Sequence, residues 1–304
     1  MLAPASSPPF WAESEIQTNG LFGTLTLPHG ASAVPAVLLL PGSGPVNRDG
    51  NLPGAPNDSL KLLAQALATQ GIASIRADKR GVGASLSNAT QEHDLRFTRY
   101  VDDALAWHAV LASLDRVASV FLLGHSEGAL LATLAAQRVE VAGLILVAGA
   151  GEPAHTTIAR QLAAAGVPPA LQEASKHISA SLCRGNAVLD VPAELASLYR
   201  PSIQNYLMSW FPLHPAEEFA KTVCPALVVQ GTTDIQVGVA DAHRLAAARA
   251  GAHLVLVEGM NHILKPAPQD RTANLQTYAE PSLPLAQALT PAIAGFILST
   301  ASAA

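Results

Sequence analysis

The residues Gly124-His125-Ser126-Glu127-Gly128 stand between an apolar run, Val117–Leu123, and a run of small apolar residues, Ala129–Ala136. A strand, a G-x-S-x-G turn and a helix in that order form the setting of a nucleophile elbow. So tight a turn leaves no room for side chains two places to either side of the serine, because they would meet the strand or the helix. The pattern predicts that Ser126 projects from a strained backbone above a sheet edge. There it lies at the positive end of the following helix, where developing negative charge is stabilised. The competing reading is plainer: Ser126 caps an ordinary helix.

A serine hydroxyl needs a base and an orienting acid to act as a nucleophile. Pro225–Gln230 reads as a buried strand, followed by Gly231-Thr232-Thr233-Asp234; a helical stretch from about Val239 to Ala250 ends at Gly251. A further strand, His253–Val257, then runs into Glu258-Gly259-Met260-Asn261-His262. Asp234 and His262 thus arrive on loops at two strand ends, where rigid sheets carry chemistry. Turn or cap for Asp234 and an ordinary loop histidine for His262 are the bland alternatives. None of the nine other histidines shares that strand-end position. His125, inside the elbow, is expected to turn its ring away from the serine and to be structural. Glu152, after the preceding strand, is the reserve acid. The oxyanion would be met by the N–H of Glu127 and a second donor from the turn Pro41-Gly42-Ser43-Gly44-Pro45, which ends the apolar run Val34–Leu40. Ser43 is the candidate donor there; a plain tight turn is the alternative.

These motifs resemble a known group. Pro41–Pro45 followed by Asn47-Arg48-Asp49-Gly50 is similar to the GSGP-x-x-RDG signature of bacterial α/β-hydrolase esterases. Asp78-Lys79-Arg80-Gly81-Val82-Gly83-Ala84-Ser85 is similar to their DKRG-x-G-x-S segment, and the elbow, the G-x-x-D turn and the G-x-N-H turn follow in the same order. The resemblance runs from Gly23 to the C-terminal helix and is weakest between about Ala150 and Glu217. It implies an α/β-hydrolase fold, a Ser–His–Asp mechanism and hydrolysis of carboxylic esters. It also implies that Arg48, Asp49, Asp78 and Arg80 anchor loops and take no part in the chemistry.

Composition narrows the alternatives. The chain has 304 residues, 49% hydrophobic and 13% charged, with a net charge of −5. One large core is affordable at that composition, and the absence of a basic stripe argues against nucleic acid or an anionic membrane as partner. Two cysteines, Cys183 and Cys224, do not make a disulfide framework, and no C-x-x-C or H-E-x-x-H suggests a metal. No cofactor is expected. Met1–Phe10 lacks the charge and apolar core of a signal peptide and reads as a frayed tail, so a cytoplasmic location is expected. Leu285–Ala304 is uncharged but carries Gln287, Thr290, Pro291 and terminal Ser/Thr residues, which favours a helix packed on a sheet over a membrane span.

Alternating strand and helix signals predict a mostly parallel, doubly wound sheet. Strands are expected at Ile72–Ala77 and Val141–Ala148, and helices at Ser59–Leu67, capped by Asn57 or Asp58, and Arg99–Leu114. A hairpin is expected to turn at Asn19-Gly20. Residues 151–216 break the alternation with helical runs and almost no strand signal, which suggests a lid inserted into a core made of 1–150 and 217–304. Its most apolar stretch, Tyr206, Leu207, Met208, Trp210, Phe211 and Leu213, either lines an acyl pocket or glues the helices to the body. The expected activity is a serine esterase with Ser126, His262 and Asp234 as triad, acting on a small-molecule, short-chain ester. An aminopeptidase or thioesterase is the alternative, with Glu194 or Glu217 available to hold a substrate ammonium; a non-catalytic binding protein on the same fold is the other class.

Overall fold

The computed structural model describes residues 10–30, 32–88 and 91–303. The expected tail falls on residues 1–10 and so lies almost wholly outside them. Eight strands form one sheet: β1 (Trp11–Thr18), β2 (Leu21–Pro28), β3 (Val34–Leu40), β4 (Ala73–Ala77), β5 (Val117–His125), β6 (Gly143–Val147), β7 (Ala226–Gly231) and β8 (His253–Val257). Their order across the sheet is β1-β2-β4-β3-β5-β6-β7-β8. β2 runs antiparallel to both of its neighbours, and every other pairing is parallel. β1 and β2 form the expected hairpin, with Asn19 and Gly20 at φ 51° and 74°. Positive φ at both central residues suits the twist of a two-residue hairpin.

The central strands show why the chain must be doubly wound. In β3, Leu38 and Leu40 enter one core while Val37 and Leu39 enter the other. In β6, Leu144 and Leu146 point to the first core, and Ile145 and Val147 to the second. Side chains alternate along a strand, so a continuous apolar run is stable only when both faces are covered. Helices α1 (Ser59–Thr69) and, at the end of the chain, Leu289–Ala303 cover the second face. Leu60, Leu63, Ala64 and Leu67 of α1 recur at helical spacing there. Helices α2 (Phe97–Ala112) and α3 (Glu127–Ala136) cover the first. The C-terminal helix thus buries Leu289, Ile293 and Ile297 against the sheet, and no helix among the described residues is long and apolar enough to cross a membrane.

Asp58 precedes α1 but makes no side-chain cap, and the first N–H groups of the helix go to Asn57 and to the Asp49 carbonyl, which accepts the Leu60 N–H at 3.1 Å. The Oδ1 of Asn57 accepts the Ser59 N–H at 2.9 Å, whereas Asp58, at φ 55°, turns its carboxylate to Asn51 Nδ2 at 2.7 Å. Both cysteines are free thiols.

Between β6 and β7 the chain forms five α-helices, with two short 3₁₀ turns among them: α4 (Ala154–Ala164), α5 (Pro169–Cys183), α6 (Ala196–Tyr199), α7 (Gln204–Trp210) and α8 (Pro215–Ala220). Aromatic rings fasten α7 to α2. Trp210 stacks on Phe97 with centroids 5.6 Å apart, and Tyr206 meets Tyr100 edge-on at 5.7 Å. Ser209 Oγ also accepts the Phe97 N–H at 2.8 Å.

Leu38 is fully buried between Ile75 of β4 and Leu122 of β5. Leu38→Ala is expected to lower unfolding free energy by about 2–5 kcal/mol through lost burial and the cavity left behind. Leu189→Ala, at a side chain 82% exposed, should change it by less than about 0.5 kcal/mol. Denaturant titration of the two variants measures the difference.

Candidate active site

Sheet register brings the site together. Leu40 pairs with Gly124, so the loop after β3 and the elbow after β5 leave the sheet at one level, where the winding direction reverses. β7 and β8 end beside each other, with Gly231 opposite Val257. The four loops that follow these strands therefore share one edge.

At the elbow, Ser126 adopts φ 57° and ψ −120° and leads directly into α3. A methyl group on Gly124 would lie 1.9 Å from the Gly128 carbonyl oxygen, and one on Gly128 would lie 2.3 Å from that of Leu40. Neither position has room for any side chain. The turn is held further by the Ser126 N–H, which donates to Val147 O at 2.9 Å.

His262 bridges the other two candidates. Its Nε2 lies 3.1 Å from Ser126 Oγ, and its Nδ1 lies 2.8 Å from Asp234 Oδ2. An ionised carboxylate only accepts, so Nδ1 carries the proton and Nε2 is left to accept from the serine. The Asp234 side chain is fully buried and that of His262 nearly so. Burial by itself would raise the Asp234 pKa. The charge and hydrogen bond of His262 and the N–H groups of Val237 and Gln236 outweigh it, and the carboxyl ends below its ordinary value. Those N–H groups donate to Oδ1 at 3.0 and 2.8 Å. Glu152, the reserve acid, is engaged elsewhere, 3.2 Å from Arg244 and 3.5 Å from Arg160.

His125 bonds the backbone of His262 and not Ser126. Its Nε2 donates to His262 O at 2.7 Å, and the ring centroids stand 4.9 Å apart. Burial, reinforced by the nearby charge of His262, pushes the His125 pKa down to about 4.

Gly42 packs against Ser126, where an added methyl would lie 3.1 Å from the serine Cβ. Among the described residues no protein acceptor takes the N–H of Ser43 or of Glu127, so both candidate donors are open to a ligand. The loops carrying Arg48, Asp49, Asp78 and Arg80 are cross-braced. Asp78 accepts the Arg48 N–H at 2.8 Å and its Nε at 2.9 Å, Arg76 holds Asp49 at 3.1 Å, and Arg80 donates to Asp103 at 2.7 Å.

A cavity of about 340 Å³ opens over Ser126, Ser43 and Glu127. Leu130, Ile158, Leu198, Ile203, Leu207 and Trp210 give it an apolar wall. Of the apolar stretch singled out in the sequence, Tyr206, Leu207 and Trp210 reach the cavity. Phe211 is buried in the core, and Met208 and Leu213 pack against it. Glu194 and Glu217 do not line the cavity, and Glu217 is exposed beside His214.

Two groups of supporting residues escaped the sequence reading. Asn274 is fully buried; its Nδ2 donates to Thr233 O at 2.8 Å and its Oδ1 accepts from Asn261 Nδ2 at 3.3 Å. It ties the loop of Asp234 to that of His262, and nothing in its sequence neighbourhood marks it. Lys79 and Glu127 are buried together, 3.9 Å apart, with the Tyr206 hydroxyl beside the carboxylate. Burial lowers the Lys79 pKa and raises that of Glu127, each shift being opposed by the partner's charge. A signal existed for this pair: Glu127 is the single charged residue between Val117 and Gln137.

A family model described as serine aminopeptidase, S33, matches residues 58–265. Esterase EstD of Thermotoga maritima is 27% identical over 267 residues, covering 84% of this chain and 61% of its own. The chain thus spans about three fifths of that relative's length. Among solved structures, Est1E of Butyrivibrio proteoclasticus with bound ferulic acid superposes with a TM-score of 0.63 at 18% identity, over 95% of this chain and 99% of its own. Proline iminopeptidase of Mycobacterium smegmatis gives 0.59 at 15% identity, over 96% and 99%. At these identities the structural likeness concerns the fold.

The buried His125 generates a pH prediction. Its pKa is about 4 in the folded protein and near 6.5 when unfolded, so between those values the unfolded chain binds the extra proton. Stability should therefore fall as pH drops from 6.5 towards 4. The His125 contribution amounts to about 3 kcal/mol, at 1.36 kcal/mol per pKa unit. Chemical denaturation across that range should show a shallower loss in His125→Gln, which keeps a donor for His262 O but does not titrate. Equal slopes would contradict the assignment.

Proposed function

The chain belongs to the serine aminopeptidase S33 family and has the α/β-hydrolase fold, and from that membership we propose that it is a serine hydrolase that cleaves carboxylic esters, with short acyl chains preferred. The observation that carries the reading is the pair of hydrogen bonds through His262, to Ser126 Oγ on one side and Asp234 Oδ2 on the other, with Ser126 itself lining a largely apolar cavity. Ser126 Oγ attacks the ester carbonyl carbon as its proton passes to His262 Nε2. The carbonyl oxygen takes the electron pair and accepts hydrogen bonds from the N–H groups of Ser43 and Glu127. Collapse breaks the bond to the alcohol oxygen, which leaves with the proton from His262, and the acyl group stays on Ser126. Water then repeats the attack through the same base, releasing the acid and restoring the serine. Asp234 keeps the imidazole in the required tautomer throughout.

Two features favour esters over aminoacyl amides. An aminopeptidase needs a free carboxylate near the nucleophile for the substrate ammonium. Of the acids that line the cavity, Glu127 is matched by Lys79 and Glu152 by Arg160 and Arg244. The volume, about 340 Å³, sits at the low end of small-molecule sites, which span roughly 300–1,000 Å³. Residues 151–216 act as the lid over a body made of 1–150 and 217–304. EstD is named an esterase, which agrees with this reading.

Ser126→Ala and His262→Ala are expected to lower kcat for p-nitrophenyl butyrate by roughly a million-fold, and Asp234→Asn by roughly ten-thousand-fold. Glu152→Gln should retain most activity. Full activity in Ser126→Ala would end the serine mechanism. In kcat/KM, butyrate should exceed both the palmitate ester and the p-nitroanilides of alanine and proline. A faster anilide would make the protein a peptidase.

A further inference from the structure

Ser43 lines the cavity beside Ser126, and no backbone acceptor among the described residues takes its N–H. A peptide unit is planar and trans, so its C=O and the N–H of the next residue point in opposite directions. No peptide bond among the described residues is cis. The carbonyl of Gly42 and the N–H of Ser43 are the two ends of one such unit, and whatever holds the carbonyl aims the N–H. Gly42 O accepts a hydrogen bond from Lys79 Nζ at 2.6 Å. Lys79 does not line the cavity that contains Ser126 and Ser43, but a neighbouring one that shares Gly44, Pro45 and Glu127 with it. The same ammonium stands 3.9 Å from the carboxylate of Glu127, whose N–H is the other candidate donor. It also sits over the Tyr100 ring at 5.7 Å, and its side chain is almost wholly buried.

We propose that Lys79 is a positioning residue of the oxyanion pocket: by holding the Gly42 carbonyl it turns the Gly42–Ser43 peptide so that the Ser43 N–H faces the cavity above Ser126. The role rests on the serine-hydrolase reading given above. A lysine is suited to it for a physical reason. A glycine-flanked loop has several backbone orientations of similar energy, and a donor at the end of a chain packed against Tyr100 selects one before substrate arrives. Preorganised donors stabilise transition-state charge because no reorientation is needed during the reaction. Lys79 therefore acts on the step in which charge develops and leaves ground-state binding nearly untouched. The buried carboxylate of Glu127 balances its charge; either group alone would be strongly disfavoured there.

The test compares Lys79→Met, Lys79→Gln and the double variant Lys79→Met/Glu127→Gln with wild type. The double variant leaves no buried charge unpaired, so the measurement survives if Lys79→Met does not fold. Hydrolysis of p-nitrophenyl butyrate and inhibition by an alkyl boronic acid, whose serine adduct places an oxygen in the oxyanion pocket, are both measured. Lys79→Met and the double variant should lose roughly 10- to 100-fold in kcat, somewhat less than the 10²–10³ lost when a donor is removed outright. KM should stay within about twofold, and boronate affinity should fall in parallel with kcat. Lys79→Gln, which keeps an uncharged donor, should recover part of the loss. Wild-type kcat in the double variant, or a loss confined to KM, would overturn the proposal, as would a Gln variant no better than Met. If Ser126→Ala is inactive while the Lys79 variants match wild type, this inference fails alone and the serine-hydrolase reading stands.

Discussion

Everything at the sheet edge depends on how closely α3 approaches β5. With 1.9 Å between a notional Gly124 methyl and the Gly128 carbonyl, strand and helix touch through bare backbone. The residue between them has no choice but the φ 57° conformation of Ser126, which a non-glycine residue adopts only when its surroundings insist. That insistence comes from β3 and β6: the Leu40 carbonyl lies against Gly128, and the Val147 carbonyl accepts the Ser126 N–H. The strain is thus carried by buried central strands that have a core on each face. A loop left to itself would relax. The sheet prevents it.

Around this fixed point charges are distributed so that each buried ion has a partner of opposite sign or a fixed dipole. Asp234 stays ionised in a dry setting because its oxygens receive two backbone N–H groups, the Gln230 amide and the His262 ring. His125, one residue before Ser126 and 4.9 Å from the His262 ring, is held neutral at neutral pH by its burial. Lys79 and Glu127, buried 3.9 Å apart, balance each other's charge.

The helices between β6 and β7 complete the cavity, and their attachment explains its shape. Trp210 and Tyr206 belong both to the aromatic cluster that joins α7 to α2 and to the cavity wall. The choice posed by the sequence, between pocket lining and glue, was therefore not a real alternative for those two rings. Phe211, next along the chain, is wholly core.

How much could be read beforehand follows from the range of the interactions. Alternating apolar strands, helical spacing in Leu60–Leu67, the Asn19-Gly20 turn and the small residues of the elbow are local patterns. Local sterics and burial dictate them, so the sheet, its hairpin and the strained serine were legible in the chain. Asp234 and His262 were legible as candidates because both follow strands directly. That they meet, at 2.8 Å, was decided by the parallel pairing of β7 with β8, a contact between residues far apart in sequence. The same holds for the Asp49 carbonyl taking N–H groups at the start of α1, for Glu194 and Glu217 falling outside the cavity, and for Asn274 bracing two loops. Lys79 shows the limit most plainly. In sequence it is one cation in a charged motif, and only the fold sets its ammonium against a carbonyl 37 residues away, because β4 and β3 lie side by side. Local patterns determine which elements form and which side chains stand at their ends; which of those side chains share a site is settled by packing, since no short stretch of chain contains the distance between them.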